Sequence, residues 1–331
     1  MTSPPILDRR LVFVLGKGGA GKTTVASAMA LGLADAGKRT LLIEVASERR
    51  TEVLFGVAPA VGGVPHEVRP GLATLSIDSE KATEEYLARQ LPMRPLVELM
   101  VRSRAFHQVA QAAPGLSELV TVGKIWDLAT AVKGDAPVWD RIVVDAPATG
   151  HGIALLEVAG RIRELAGSGP IREQAEKIEQ VIHHPAATGV VVVAIPEDLA
   201  VSEAVEAVAA LRERDLPVAA AVMNAVRASV FMDADEAPLA AVATSTGGAA
   251  ARAAATAGLA DLMAARHDQA EIAALAIGTN APVVSLPDVP DLRPGSGGLE
   301  RLAAALMTDP AIGLAASPMA ESVMSTTGIT T

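Results

Sequence analysis

The stretch FVLGKGGAGKTTVAS, residues 13–27, decides the fold. Within it, Gly16–Thr23 satisfies the phosphate-loop pattern G-x-x-x-x-G-K-[ST], directly after an apolar run and before a helix-forming segment. Gly18, Gly19 and Gly21 let backbone N–H groups turn inward around phosphates, because no side chain obstructs them. The helix that follows adds its positive N-terminal end. The sequence therefore predicts a nucleotide-binding P-loop.

The polar side chains of this loop have separate predicted roles. Lys22 is expected to reach the β- and γ-phosphates of ATP, and the Thr23 hydroxyl is expected to ligate Mg²⁺. Lys17 is a second cation, five positions ahead of Lys22. Such a cation is most useful against charge that develops in the transition state, as an arginine finger is. The loop residues predicted to contact nucleotide are Gly16, Lys17, Gly18, Gly19, Ala20, Gly21, Lys22, Thr23 and Thr24.

The segment RIVVDAPATGH, residues 141–151, supplies the acid expected on the magnesium side. Asp145 follows a buried apolar run, which is the Walker B placement, where it can hold Mg²⁺ directly or through water. Thr23 and Asp145 are therefore the predicted metal ligands. Lys17, Lys22 and Asp145 are the predicted catalytic residues.

Short β-branched runs alternate with longer helical stretches along the chain. Their continuous apolar character is typical of strands that are covered on both faces, as in a parallel sheet. The pattern predicts an α/β fold of the P-loop NTPase type, a doubly wound, mostly parallel sheet. The candidate strands are 11–15, 40–45, 73–78, 141–145, 189–195, 218–224 and 282–286.

Two intervals, 79–135 and 150–187, are too long and too helical for simple crossovers, and they predict a helical subdomain inserted into the sheet domain. We expect one ATPase domain over 8–315, Ala-rich helices within 238–280 and a disordered tail over 316–331.

Composition narrows the classes of function. The net charge of −10 argues against a nucleic-acid partner, which normally requires a basic face. The chain has no cysteine, which excludes disulfides, Fe–S clusters and thiolate sites for zinc or arsenite. Its N-terminal residues lack the order of a signal peptide, and its longest apolar run is too short to span a bilayer. A cytoplasmic protein that is not itself transmembrane is expected.

The motifs GKGGAGKTT and DAPATGHGIALLEV (145–158) resemble the deviant Walker A loop and switch II of the ArsA-type ATPases. That family includes the arsenite-pump ATPase and the guided-entry (GET pathway) ATPase for tail-anchored membrane proteins. The resemblance covers about residues 10–290 and implies an ATPase with ATP and Mg²⁺ as cofactors. It also implies that Lys17 crosses a dimer interface to the nucleotide of the partner, in a homodimer or a heterodimer with a related subunit.

Two further matches concern the base. The dipeptide MN at 223–224 is similar to the position whose Asn reads adenine, and LPDVP (286–290) resembles the loop that covers the base. The resemblance therefore implies that Asn224, Pro287 and Asp288 bind the nucleotide. It also makes His151 of the switch II segment a candidate for sensing the γ-phosphate.

The stretch LLIEVASERR, residues 41–50, departs from the family pattern. The family's switch I Asp orients the attacking water, and Ala46 stands at that position here. Glu44 and Glu48 are the possible substitutes, although both are offset from that position. Slow hydrolysis and dependence on a paralogous subunit both stay open.

Four functions are compatible with this phosphate loop. The leading hypothesis is a dimeric switch that couples nucleotide state to a membrane partner or to a client such as a hydrophobic or tail-anchored membrane protein. The client would lie on the insert near Leu96, Leu99, Met100 and Phe106, for which ordinary core packing is the alternative. The other hypotheses are an energising subunit of an anion or metalloid pump, a positioning ATPase of the MinD or ParA kind and a small-molecule kinase or ligase on this fold.

Overall fold

The computed structural model describes residues 5–46, 50–59, 63–79, 82 and 115–309, without the side chains of residues 116, 170 and 171. The tail over 316–331, Glu48 and the predicted client residues of the insert lie outside these residues.

An eight-stranded sheet forms the centre of the described chain, in the order β10-β9-β8-β1-β7-β2-β4-β3. Neighbouring strands are parallel except for the antiparallel edge pair β3–β4. A separate antiparallel hairpin consists of β5 and β6. The strands are β1 Leu11–Gly16, β2 Thr40–Glu44, β3 His66–Arg69, β4 Leu72–Ser76, β5 Val132–Lys133, β6 Ala136–Pro137, β7 Arg141–Asp145, β8 Thr188–Ala194, β9 Val218–Val226 and β10 Val283–Pro287.

The described helices cover both faces of the sheet. They are α1 Lys22–Asp35, α2 Arg50–Leu54, α3 Leu116–Thr130, α4 Thr149–Leu165, α5 Pro170–His183, α6 Asp198–Arg212, α7 Glu236–Thr244, α8 Ala249–Thr279 and α9 Gly298–Thr308. Two 3₁₀ turns, Ile6–Asp8 and Asp233–Asp235, complete the described elements.

Successive residues of β1 enter two different cores, because side chains alternate across a strand. Phe13 packs on the face covered by α3, α4, α5, α6 and α8. Val12 and Val14 pack on the opposite face, against α1 and α9. Both faces of the strand are therefore buried, and this explains its uninterrupted apolar sequence. The α/β, doubly wound, mostly parallel fold predicted from the sequence is confirmed.

All seven predicted strands are present, with bounds that differ by no more than two residues at either end. The edge strand β3 was not predicted, because its sequence HEVR is polar and its side chains are only partly buried.

The helices within 150–187 pack on the sheet itself. Leu155 and Val158 of α4 and Ile178 of α5 belong to the same buried cluster as Phe13. The predicted extent of an inserted subdomain stays a prediction. No described helix combines the length and apolar character that crossing a membrane requires.

Candidate functional site

The predicted phosphate loop joins the central strand β1 to α1. Gly16 ends the strand with φ 152°, and a Cβ atom there would lie 2.4 Å from the carbonyl oxygen of Val193. Gly19 and Gly21 have φ values of 88° and 85°, in the left-handed region that favours glycine. Gly18 and Gly19 are exposed, and no atom of the residues that the structure describes lies within 4 Å of an added Cβ. Gly16 thus permits the close approach to β8, and Gly19 and Gly21 permit the turn of the loop. Gly18 and Gly19 leave one face of the loop open, as a phosphate-binding loop requires.

Lys22 opens α1 and lies back over this loop. Its ammonium donates a hydrogen bond to the carbonyl oxygen of Lys17 at 3.1 Å. Burial lowers the pKa of Lys22, Asp145 counteracts the shift, and Arg50 adds to it. A desolvated ammonium next to inward-facing loop amides is suited to bind phosphate oxygens.

Thr23 and Asp145 meet across the loop, as predicted for a metal site. The Thr23 hydroxyl donates to Asp145 Oδ2 at 2.6 Å. Asp145 is 6% exposed, and its other oxygen, Oδ1, is buried without a hydrogen-bond partner in the described part of the chain. Burial raises the pKa of Asp145 to about 6, against the hydrogen bond from Thr23, and the neighbouring Glu44 adds to the rise.

This donor set fits a divalent cation. A buried carboxylate oxygen without a donor is costly, and a hard oxygen ligand next to a hydroxyl is the type of site that Mg²⁺ prefers. Thr23 and Asp145 are therefore a suitable ligand pair.

The carboxylate of Glu44, a candidate for the missing switch I acid, forms hydrogen bonds within its own chain. It stands beside Asp145 in the paired register of β2 and β7 and is 2% exposed. Its carboxylate accepts hydrogen bonds from the amides of Arg50 and Thr51, at 3.0 and 3.1 Å, and from the Thr51 hydroxyl at 2.9 Å. Glu44 thus holds the start of α2, and these bonds make it a poor substitute for a water-orienting acid. Ala46 is exposed.

Arg50 is a charged neighbour of the site that sequence reasoning missed. Its positive charge lowers the pKa of both Lys22 and Asp145. The sequence SERR gave no signal for this placement, because it depends on how Glu44 fixes the start of α2.

Asn224 lies against the phosphate loop. Its Nδ2 donates to the carbonyl oxygen of Ala20 at 3.1 Å, and a Cβ at Gly21 would lie 2.2 Å from that nitrogen. The next residue, Ala225, has φ 58°, which is unusual for a residue other than glycine. The predicted base-reading residue therefore also braces the loop.

Pro287 and Asp288 follow at the end of β10, both exposed. The Asp288 amide donates to the carbonyl oxygen of Val226 at 2.8 Å, which holds the two strand ends together. These positions are compatible with the predicted base-covering loop, and that role stays a prediction.

An ion pair anchors the chain just beyond Asn224. The Arg227 amide and Nε donate to Asp268 Oδ2 at 2.7 and 3.0 Å, and its Nη2 donates to Oδ1. The side chain of Asp268 is fully buried, whereas that of Arg227 is 46% exposed. Burial favours the neutral carboxyl, but the bonds from Arg227 outweigh it and hold the pKa of Asp268 below its usual value.

Lys17 contacts its own chain. Its ammonium lies 2.8 Å from Glu203 Oε1 on α6, and both side chains are about two-fifths exposed, at 41% and 39%. His151 is exposed in the first turn of α4. Lys22, Thr23, Asp145 and Asn224 thus converge on the loop.

Comparison with known proteins finds similarity to ATPases. Residues 9–168 match the family model described as anion-transporting ATPase. The chain is 35% identical to ATPase BagA of Mycobacterium tuberculosis, over 65% of this chain and 64% of that protein. It is 32% identical to an arsenical pump-driving ATPase of Acidiphilium multivorum, over 50% and 27% of the two chains.

A plant relative is more distant. The chain is 25% identical to ATPase GET3B of Arabidopsis thaliana, over 65% of this chain and 64% of that protein. The chain thus spans just under two thirds of the length of the relatives that it matches over the greatest share. The resemblance stated from the two loop motifs is confirmed, since residues 9–168 match the model of this ATPase family and the relatives include arsenical pump-driving and GET3-type ATPases.

Proposed function

We propose that this protein is an ATP-binding and ATP-hydrolysing switch that works as a dimer with Mg²⁺. The observation that carries the proposal is the contact of Thr23 with Asp145 beside a complete glycine loop, in which Asp145 Oδ1 has no donor among the described residues. The match of residues 9–168 to the family model supports the same activity.

Each residue of the loop has a part in this proposal. The amides of Gly18–Gly21 and the N-terminus of α1 bind the phosphates, and Lys22 exchanges its bond to the Lys17 carbonyl for phosphate oxygens. Thr23 and Asp145 hold the metal ion, which neutralises charge on the β- and γ-phosphates. Asn224 positions the base side of the nucleotide next to Gly21.

Lys17 acts on the nucleotide of a partner subunit, so that hydrolysis depends on closure of the dimer. Switch II, residues 145–151, leads directly from Asp145 into α4 and transmits the state of the γ-phosphate to that helix. We propose that the protein works in the cytoplasm and couples this change to a hydrophobic client or a membrane-protein partner.

Slow turnover belongs to the proposal. Ala46 has no group that can orient water, and the carboxylate of Glu44 is bound to the start of α2. Positioning and charge stabilisation without an oriented water remove only part of the barrier to phosphoryl transfer.

The test measures phosphate release and oligomeric state together, with and without Mg-ATP. We expect ATP to dimerise the wild-type protein and to be hydrolysed slowly. Lys22→Ala should lose nucleotide binding, because it removes the cation that faces the phosphates. Lys17→Ala should keep nucleotide binding but lose hydrolysis and ATP-dependent dimerisation.

Lys133→Ala is the matched control, because Lys133 is an exposed lysine on the hairpin β5–β6. Equal hydrolysis by Lys17→Ala and wild type would contradict the action in trans. A pump subunit is the second candidate, because a relative is named an arsenical pump-driving ATPase. Stimulation of phosphate release by arsenite or antimonite would favour it.

A further inference from the structure

Lys17 and Glu203 form an ion pair that connects the phosphate loop with a helix far away in sequence. The two residues are 186 positions apart, and their charged atoms are 2.8 Å apart. Neither side chain is buried, so the pair is accessible at the surface where a second subunit would approach Lys17.

The two ends of this pair differ in rigidity. Lys17 precedes Gly18 and Gly19, which are both exposed and which have no described atom within 4 Å of an added Cβ. Glu203 lies on α6, and this helix is anchored in the core through Ala204, Ala207 and Val208. The helix therefore provides the fixed end, and the lysine is the end that is positioned.

We propose that Glu203 is a positioning residue for Lys17, and this inference rests on the proposed function. A lysine side chain loses considerable rotamer freedom when its ammonium is held at one position. A hydrogen-bond partner on a rigid helix restricts the rotamers already in the monomer, so less entropy is lost when the dimer forms. An ammonium has three N–H donors, so the bond to Glu203 leaves two for the phosphate oxygens of the partner's nucleotide.

The expected size of the effect follows from the exposure of the pair. Exposed ion pairs change an equilibrium about 1.5- to fivefold. A symmetric dimer contains two copies of the pair, so the dimerisation constant should change by the square, about two- to 25-fold. The effect should shrink at high ionic strength, because salt screens exposed charges.

The experiment compares Glu203→Gln with Glu206→Gln in the full chain. Glu206 lies three residues further along α6 and is exposed, so its variant removes the same charge from the same helix. Glu203→Gln should lower ATP-dependent dimerisation and the rate of phosphate release at saturating ATP. It should leave the melting temperature and the affinity of the monomer for a fluorescent ATP analogue unchanged. Glu203→Asp should restore part of the loss.

Two results would overturn the positioning role. The first is that Glu203→Gln matches Glu206→Gln in both assays. The second is that Glu203→Gln strengthens dimerisation, which would mean that Glu203 restrains Lys17. Lys17→Ala in the same assays separates the two proposals. An inactive Lys17→Ala with a normal Glu203→Gln overturns only the positioning role, whereas a fully active Lys17→Ala overturns the action in trans and this inference with it.

Discussion

When it is ionised, the carboxyl group of Asp145 destabilises the folded chain in the absence of metal. It is buried, it accepts one hydrogen bond from Thr23, and its second oxygen has no donor in the described part of the chain. Ala225 carries a second local cost, because its left-handed backbone is unfavourable for a residue with a Cβ. Both residues directly border the proposed nucleotide site, where such strain is commonly stored.

Asp145→Asn should make stability less dependent on pH. The pKa of Asp145 is raised to about 6 in the folded chain, so its favourable contribution is complete below its unfolded value and is lost as pH rises through about 6. This loss amounts to about 3 kcal/mol of unfolding free energy. Denaturant unfolding without nucleotide and with a chelator, at pH 4 and pH 8, measures the difference. If the difference in unfolding free energy between variant and wild type is the same at both pH values, the raised pKa of Asp145 is contradicted.

Gly21→Ala should lower nucleotide affinity and stability together. The substitution places a side chain at φ 85°, at a cost of about 1–2 kcal/mol, and brings its Cβ against Asn224. Gly123→Ala is the control, because Gly123 lies in α3 and no atom of the described residues is within 4 Å of an added Cβ there. Nucleotide titration and thermal melting measure both effects. Equal affinities of the two variants would contradict this account of the loop.

The elements around the site are joined by polar side chains. Glu44 ties the end of β2 to the start of α2, and Asp268 ties the segment after β9 to α8. Both carboxylates are buried and both accept backbone amides, so they replace hydrogen bonds that the chain ends of these elements would otherwise lack. One buried carboxylate, that of Glu44, therefore fixes the segment after β2, and another, that of Asp268, fixes the segment after β9.

Arg227→Met should destabilise the protein more than Asp268→Asn does. The first variant leaves a buried carboxylate without its cation, at about 3 kcal/mol or more, whereas the second removes the charge itself at about 1–2 kcal/mol.

The difference in unfolding free energy between Arg227→Met and Asp268→Asn should be smaller at acidic pH. The wild-type pKa of Asp268 is lowered, so the stabilisation by the pair is present above the unfolded value and is lost as pH falls through the lower folded value. In Arg227→Met the buried carboxyl can take up a proton as pH falls, which removes its penalty. Urea unfolding at pH 7 and pH 4 tests this, and a gap that widens in acid would contradict it.

At the level of the whole molecule, the sequence predicted the sheet well because its strands are covered on both faces. Phe13 and Val14 point to opposite cores, which is why an unbroken apolar run marks β1. The convergence of Thr23 and Asp145 was also predictable, since the carboxyl ends of parallel strands meet at one edge.

The missed features have a common physical cause. The pairing of Lys17 with Glu203 joins residues 186 positions apart, and it depends on where α6 packs. The bonds of Glu44 to α2 depend on a turn whose sequence carries no periodic signal. The edge strand β3 is short and half-exposed, so it lacks the apolar run that revealed the others.

The position of β1 at the middle of the sheet determines how nucleotide binding should register in amide hydrogen exchange. Its strand is paired on both sides, with β7 and β8, so its amides exchange only when the sheet opens. The helix α2 is only five residues long, and Glu44 accepts the two amides at its start. We expect ATP to slow exchange in α2 and to leave β1 nearly unchanged, as measured by mass spectrometry, and the reverse pattern would contradict this. Nucleotide bound at the phosphate loop should thus be detected in a short helix that follows β2, and not in the strand from which the loop emerges.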